Sequence, residues 1–356
     1  LSNQNLFYPV NPTSRNDAFV GGTLSCNASG FIPGKKGATR YWVKAIEFLL
    51  PNGNYLSIKK GQHISDGSKF VLEDENQTIQ LPIPTYKRPK IKNASGPFSS
   101  HDGDIDFIDL IIGSEGIFGL IVSCKLNLLE RPKRYLDLFV QLESEDQAID
   151  LYQYLYNLFN KDMSKVFAFE YFGYNCQKYM NHKDFLFNSS NQVGLYIKVP
   201  IYNNTIEDKS FEWFKILESF NSYIKPEEVI VLNDKKNMEL FFEARHSIPD
   251  NALIKTKEIG GISIITDTIV PFENYKQYLS KVHHLLENEG IEYLLFGHLG
   301  DCHLHFHLIS EKNQEEKTIS IYNLLIDYAS ELGGVYSAEH GTGKRKRLDF
   351  EKCYES

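Results

Sequence analysis

Beyond residue 133 the apolar positions change period from segment to segment, and the changes mark out strands and helices in turn. Residues 135–142 alternate as a strand does. Residues 145–160 instead place Ala148, Leu151, Leu155, Leu158 and Phe159 three and four apart, on one face of a helix. The same logic predicts a strand over 194–201, a helix near 211–220, a strand over 262–270 stopped by Pro271, and a helix over 274–288. Strands over 292–296 and 303–309 flank a tight glycine turn, and a helix over 315–332 ends at Gly333 and Gly334, a usual C-terminal stop. Strands interleaved with helices predict an antiparallel or mixed sheet covered on one face by helices, an α+β fold.

Residues 1–130 read differently, as glycine-rich loops between short strands. An apolar run at 41–50, a Pro-Asn-Gly-Asn turn at 51–54 and a returning run at 55–58 predict a hairpin. The polar stretch 82–106, with four prolines, predicts a long surface loop, and 111–123 a loop running into a strand. Arg131 and Pro132 mark the boundary between the two regimes.

Composition narrows the function classes. At 356 residues the chain has room for two domains, and 42% hydrophobic with 24% charged residues is the composition of a soluble globular protein. A formal charge of −8 argues against a nucleic-acid partner. The one dense basic run, residues 344–347, is expected to be a solvated helix face. Five cysteines without a CxxC pair exclude a zinc ribbon or a local iron–sulfur motif, and suit reduced thiols in the cytoplasm. The sequons at Asn27, Asn76 and Asn93 are what chance gives an Asn-rich chain. The most apolar stretch, 107–124, is broken by Asp109, Ser114, Glu115 and three glycines, so it does not span a bilayer. The chain starts on Leu1 without an initiator methionine and is read as an internal piece of a longer protein.

The densest chemistry lies at 296–307. His303, His305 and His307 share one strand face, and Leu304, Phe306 and Leu308 share the other. Three imidazoles on a strand form either a solvated face or a site. Four of the chain's 11 histidines within ten residues favour a metal or catalytic site, and imidazole suits Zn, Mn or Fe. Further ligands must come from elsewhere, and Glu339 with His340, in a glycine-punctuated loop, is the natural supplier; by itself that pair would read as a polar surface turn. Arg245 has the two-pronged geometry that fits a carboxylic acid substrate. Gly343–Lys344 is not a Walker loop, and no GxGxxG opens a helix after a strand.

Six segments in order carry a resemblance: 8–14, 21–30, 113–119, 266–271, 298–305 and 338–341. Together they resemble FAD-linked oxidases of the vanillyl-alcohol oxidase superfamily, in the branch of D-lactate dehydrogenases, glycolate oxidases and D-2-hydroxyglutarate dehydrogenases. The resemblance implies that residues 1–132 are the second half of an FAD-binding domain, 133–310 a substrate-covering α+β cap, and 311–356 a segment returning to the flavin. Flavin contacts are implied at Pro12 and Ser14, at Gly21, Gly22, Ser25, Asn27, Ser29 and Gly30, and at Glu115, Gly116, Gly119 and Ile121. His298, His305 and Glu339 would hold one divalent metal, His340 would be the general base, and Arg245 would bind the substrate carboxylate.

The implied reaction oxidises a small D-2-hydroxy acid to the 2-oxo acid by hydride transfer to FAD, with electrons passing on to an unidentified acceptor. The family's first flavin subdomain is expected before Leu1 and its closing segment after Ser356, in a protein of the cytoplasm or the membrane periphery. The chain also departs from the family. Cys302 and His303 stand where Gly-Asn is common, His307 where many members have Asn, and a substrate lysine is replaced near Ile265. These departures touch the substrate pocket. They leave open a flavoenzyme of the same fold with another substrate, or a metal-binding protein that has lost its flavin.

Overall fold

A computed structural model describes every residue except 13, 16, 75, 76, 101, 102, 222, 223, 226, 227, 355 and 356, so Thr13 of the 8–14 segment and the sequon at Asn76 lie outside the described residues. Two units emerge: residues 1–30, 35–130 and 333–356 form one, and residues 31–34 and 131–332 the other.

The first unit contains strands β1 (Leu6–Phe7), β2 (Val43–Leu49), β3 (Tyr55–Lys59), β4 (Lys69–Asp74), β5 (Gln77–Pro82), β6 (Leu120–Leu126) and β7 (Leu129–Glu130). The expected hairpin forms: β2 and β3 pair antiparallel around residues 51–54, and β6 joins the other edge of β2. A second hairpin, β4–β5, precedes the proline-containing loop. The core gathers on Phe107, whose ring meets Phe48 and Phe70 edge-on at centroid distances of 6.1 and 5.3 Å. Phe107 opens the short helix α2 (Phe107–Ile111), capped by Asp106, whose Oδ1 accepts the Ile108 N–H at 2.7 Å. The glycine segment 21–30 differs from the loop expected, because its first half is helical (α1, Val20–Ser25).

The second unit is built on a seven-stranded sheet in the order β11-β8-β10-β9-β13-β14-β12, antiparallel at every pairing. Its elements are β8 (Arg134–Leu142), α3 (Glu145–Leu158), β9 (Ala168–Phe172), α4 (Lys183–Leu186), β10 (Val193–Ile201), α5 (Ile206–Phe220), β11 (Val229–Val231), α6 (Lys235–Glu258), β12 (Ile262–Ile265), α7 (Tyr275–Asn288), β13 (Glu292–His298), β14 (His303–Ser310) and α8 (Glu315–Glu331). Leu136, Leu138 and Val140 of β8 face a core shared with α3, α5, α7 and α8. That same core takes in Ile321, Leu325 and Ala329 of α8, so the unit runs on to Leu332, past the edge expected at residue 310.

Helices cover both faces of this sheet, not one. Phe139 points the other way, into a second core with Phe241, Ala244, Ile248 and Ala252 of α6. The alternation in β8 misleads because Asp137 on this second face is also buried, and is satisfied by the Tyr196 hydroxyl at 2.6 Å and the Lys198 ammonium at 2.9 Å. In helix α6 the exposed apolar residues Phe242, Leu253 and Ile254 blur the apolar stripe, and Pro249 sits inside the helix, which hides it from a periodicity argument. The strand expected over 262–270 ends at Ile265. There Thr266 still gives its N–H to the Phe306 carbonyl at 2.9 Å, but its hydroxyl takes the Phe306 N–H at 3.0 Å and replaces the ladder bond.

Candidate functional site

Antiparallel register assembles the histidines. Strands β13 and β14 pair His298 with His303, Phe296 with His305 and Leu294 with His307. Leu304, Phe306 and Leu308 enter the core with α7 and α8, so the imidazoles face the α6 side. This face is closed to solvent: His303 and His307 are 0% exposed and His305 is 8%. Ring centroids of His303 and His305 stand 4.5 Å apart, and His298 is 5.8 Å from each.

The nitrogen partners decide what these rings can do. His298 Nδ1 lies 2.6 Å from Glu170 Oε1, and His305 Nδ1 lies 2.9 Å from the Thr266 carbonyl oxygen. A carbonyl only accepts, so His305 carries its proton on Nδ1 and its lone pair on Nε2; the carboxylate imposes the same on neutral His298. A histidine that donates one ring N–H to a carboxylate or carbonyl is the arrangement that orients metal ligands. His303 Nε2 sits 3.0 Å from Asp267 Oδ1, both side chains fully buried. His307 hydrogen-bonds to the Ser263 hydroxyl, and burial pushes its pKa down to about 4, so it is neutral near neutral pH.

Arg245 on α6 reaches this face, where one guanidinium NH2 lies 3.3 Å from Glu170 Oε2 and the group stacks 4.9 Å over the Phe31 ring. Glu170 thus joins the expected carboxylate-binding arginine to an expected metal ligand. Burial by itself would raise its pKa. Pairing with His298 and Arg245 outweighs that and holds it down at about 2. Sequence reasoning passed over Glu170, although it is the one charged residue in the apolar run 166–172.

Glu339 and His340 belong to the first unit, where the Ser337 carbonyl accepts the Ala94 N–H at 3.0 Å. The Glu339 carboxylate pairs with the Lys92 ammonium; a carboxylate has two oxygens and several lone pairs, so this pairing does not exhaust it. His340 is exposed in a cleft of about 510 Å³, with Ser25, Cys26, Glu115 and residues 341–346 along its walls. Across this cleft Glu115 accepts the N–H groups of Thr342 and Gly343, each at 2.7 Å. Gly341 has φ +75, and a Cβ there would stand 2.4 Å from Glu115 Oε1, so this loop needs glycine. The glycine turns also delay the last helix to Arg347, so Lys344, Arg345 and Lys346 line the cleft and not the helix face expected for them.

Of the implied flavin contacts, Ser25 and Glu115 come together with His340 in this cleft, although the Glu115 carboxylate is engaged by the loop. Pro12 and Ser14 lie in an outer turn, where their carbonyls accept the N–H groups of Arg15 and Ala18. Gly21 and Gly22 have open space beside them in α1, and Gly116 is exposed. The others serve the unit's own structure. Asn27 Oδ1 accepts the Arg40 N–H at 2.8 Å, Ser29 bridges to Ala38, and a Cβ on Gly30 would meet Asn11 N at 2.5 Å. Gly119 packs on Leu49, and Ile121 pairs with Phe48.

Comparison with known proteins adds an independent line. Residues 178–354 match the family described as FAD linked oxidases, C-terminal domain, and residues 1–59 match the FAD binding domain. The chain is 22% identical over 353 residues to a glycolate oxidase subunit of Bacillus subtilis, covering 97% of this chain and 64% of the relative. It is 23% identical to a D-lactate dehydrogenase of Anaerostipes hadrus (98% and 65%) and 21% to a D-2-hydroxyglutarate dehydrogenase of Stutzerimonas stutzeri (96% and 65%). The chain therefore spans about two thirds of the length of these relatives. A solved alkyldihydroxyacetonephosphate synthase shares the fold, with a TM-score of 0.58 at 14% identity over 99% of this chain and 59% of that one. Among the described residues no helix is long and apolar enough to cross a membrane.

Proposed function

The chain belongs to the FAD-linked oxidase family, and from that premise we propose that it is the substrate-side part of a metal-assisted enzyme oxidising a small D-2-hydroxy acid to the 2-oxo acid. The observation that carries this reading is the pair His298 and His305, each with Nδ1 engaged by an oxygen so that Nε2 serves as ligand. The donor chemistry fits a divalent metal such as Zn, Mn or Fe, with Glu339 the carboxylate that the family resemblance adds. The cleft of about 510 Å³ beside Ser25 and His340 supports placing the flavin edge there in this reading. When bound, FAD supplies a two-electron acceptor and the metal a Lewis acid that lowers the pKa of a substrate hydroxyl.

The chain's own residues do the rest. Arg245 binds the substrate carboxylate through the guanidinium N–H groups not given to Glu170, and Glu170 fixes the direction of that fork. His340 takes the hydroxyl proton, work suited to an imidazole. In this reading residues 1–132 are flavin-side, the substrate-side part expected over 133–310 extends to 332 with the unit it belongs to, and 333–356 carry the base on the flavin side. The final electron acceptor is a separate partner, met in the cytoplasm or at a membrane surface.

The test is the visible spectrum of the full-length protein under anaerobic conditions. Flavin bands that bleach on adding D-lactate, glycolate or D-2-hydroxyglutarate support the reading. A colourless protein, or a flavin that none of the three bleaches, sinks it.

A further inference from the structure

We propose that Asp267 and His303 form, with His305, a second three-donor position for a divalent cation, contained wholly in the second unit. One donor atom from each of these residues lies within 4.8 Å of the other two. The trio is built in by the backbone. Thr266 is locked to Phe306 of β14 through both its N–H and its hydroxyl, which sets the next residue, Asp267, against the histidine face. The same segment supplies the carbonyl that holds His305 Nδ1, so it provides a ligand and the group that orients a ligand.

Charge and burial point to a cation. Asp267 is 1% exposed and His303 0%, so the donors are held out of water, where a cation balances the carboxylate's charge. Two imidazole nitrogens and one carboxylate oxygen form the borderline donor set that Zn, Mn and Fe share. Ligands bound at about 2.0 to 2.2 Å around an ion stand roughly 3.4 Å apart, and His303 Nε2 already lies 3.0 Å from Asp267 Oδ1.

His305 has one lone pair, on Nε2, and serves one ion at a time. The Asp267–His303 side and the His298 side are therefore alternative seats for a single ion, both dependent on His305. This second seat builds on the metal assignment proposed above but needs no flavin.

Equilibrium dialysis of the full-length protein against Zn²⁺ tests it. Glu339→Ala should still retain close to one zinc per chain. Adding Asp267→Asn, or independently His303→Asn, to Glu339→Ala should weaken zinc binding by about a hundredfold or more, since each removes a ligand. Circular dichroism checks that each protein is folded, and two separate second substitutions keep the test alive if one fails to fold. Loss of zinc in Glu339→Ala alone would overturn the proposal, as would unchanged affinity in the folded double variants. The outcome is separable from the flavin reading: zinc retention with no bleaching rejects only the enzyme proposal, and bleaching with zinc lost in Glu339→Ala rejects only this one.

Discussion

Two glutamates organise the candidate chemistry, one in each unit, and they do so by opposite physics. Glu170 is 3% exposed in the middle of a strand, and its partners are the charged or chargeable side chains of His298 and Arg245 at 2.6 and 3.3 Å. Glu115 is exposed in a loop with φ +56, and its partners are two consecutive backbone N–H groups, both at 2.7 Å. In the sheet, register already fixes where His298 and His305 stand, so the carboxylate is left to balance charge and choose tautomers. In the loop, glycines at 341 and 343 make the backbone permissive, so the carboxylate must supply position. A rigid element needs its glutamate for electrostatics, and a permissive one needs it for geometry.

The sharpest way to break this contrast is to remove Glu170. Glu170→Ala strands a partly buried guanidinium and imidazole, and should destabilise the second unit by about 3 kcal/mol. Urea unfolding measures it, and a midpoint like wild type would show that the sheet does not depend on this charge balance. His340→Ala should slow flavin reduction by roughly a hundredfold or more with substrate affinity little changed, the scale of general-base work. Stopped-flow reduction at varied substrate concentration separates rate from affinity. An unchanged rate would show that the base is a residue other than His340.

Arg245→Lys keeps the charge and loses the fork, so substrate binding should weaken by about 1 to 3 kcal/mol. The same stopped-flow series reads it, and normal affinity would take the carboxylate site away from Glu170's partner. The smallest effect is expected at the loop. Glu115→Gln puts an amide where a double acceptor stood, and amide exchange at Thr342 and Gly343 should quicken by about tenfold with global stability nearly unchanged. Hydrogen exchange with mass spectrometry checks this. Equal protection in both proteins would mean that the loop holds its shape without the clamp.

Much of this was legible along the chain, for local reasons. The turn at 51–54 and its flanking apolar runs determined the β2–β3 hairpin, because hairpin register is a short-range property. The three-and-four spacing determined α3 and α8 nearly to their ends, and strand alternation put three histidines on one face before any partner was known. Helix α6 was not legible, since exposed Phe242, Leu253 and Ile254 blur its apolar stripe and Pro249 breaks the signal.

By itself, then, the sequence determined which residues lie on which face of their own element, and which segments in which order resemble the FAD-linked oxidases. Tertiary structure alone decided what each face meets. It seated Glu170 of β9 between His298 and Arg245, residues 128 and 75 positions away, and set Asp267 against His303. It made Glu115 the acceptor for the N–H of Thr342, 227 residues further on. Periodicity reports only neighbours a few residues apart, whereas a carboxylate's protonation, a histidine's tautomer and a loop's position depend on partners that only the packed sheet and the closed loop bring within about 3 Å.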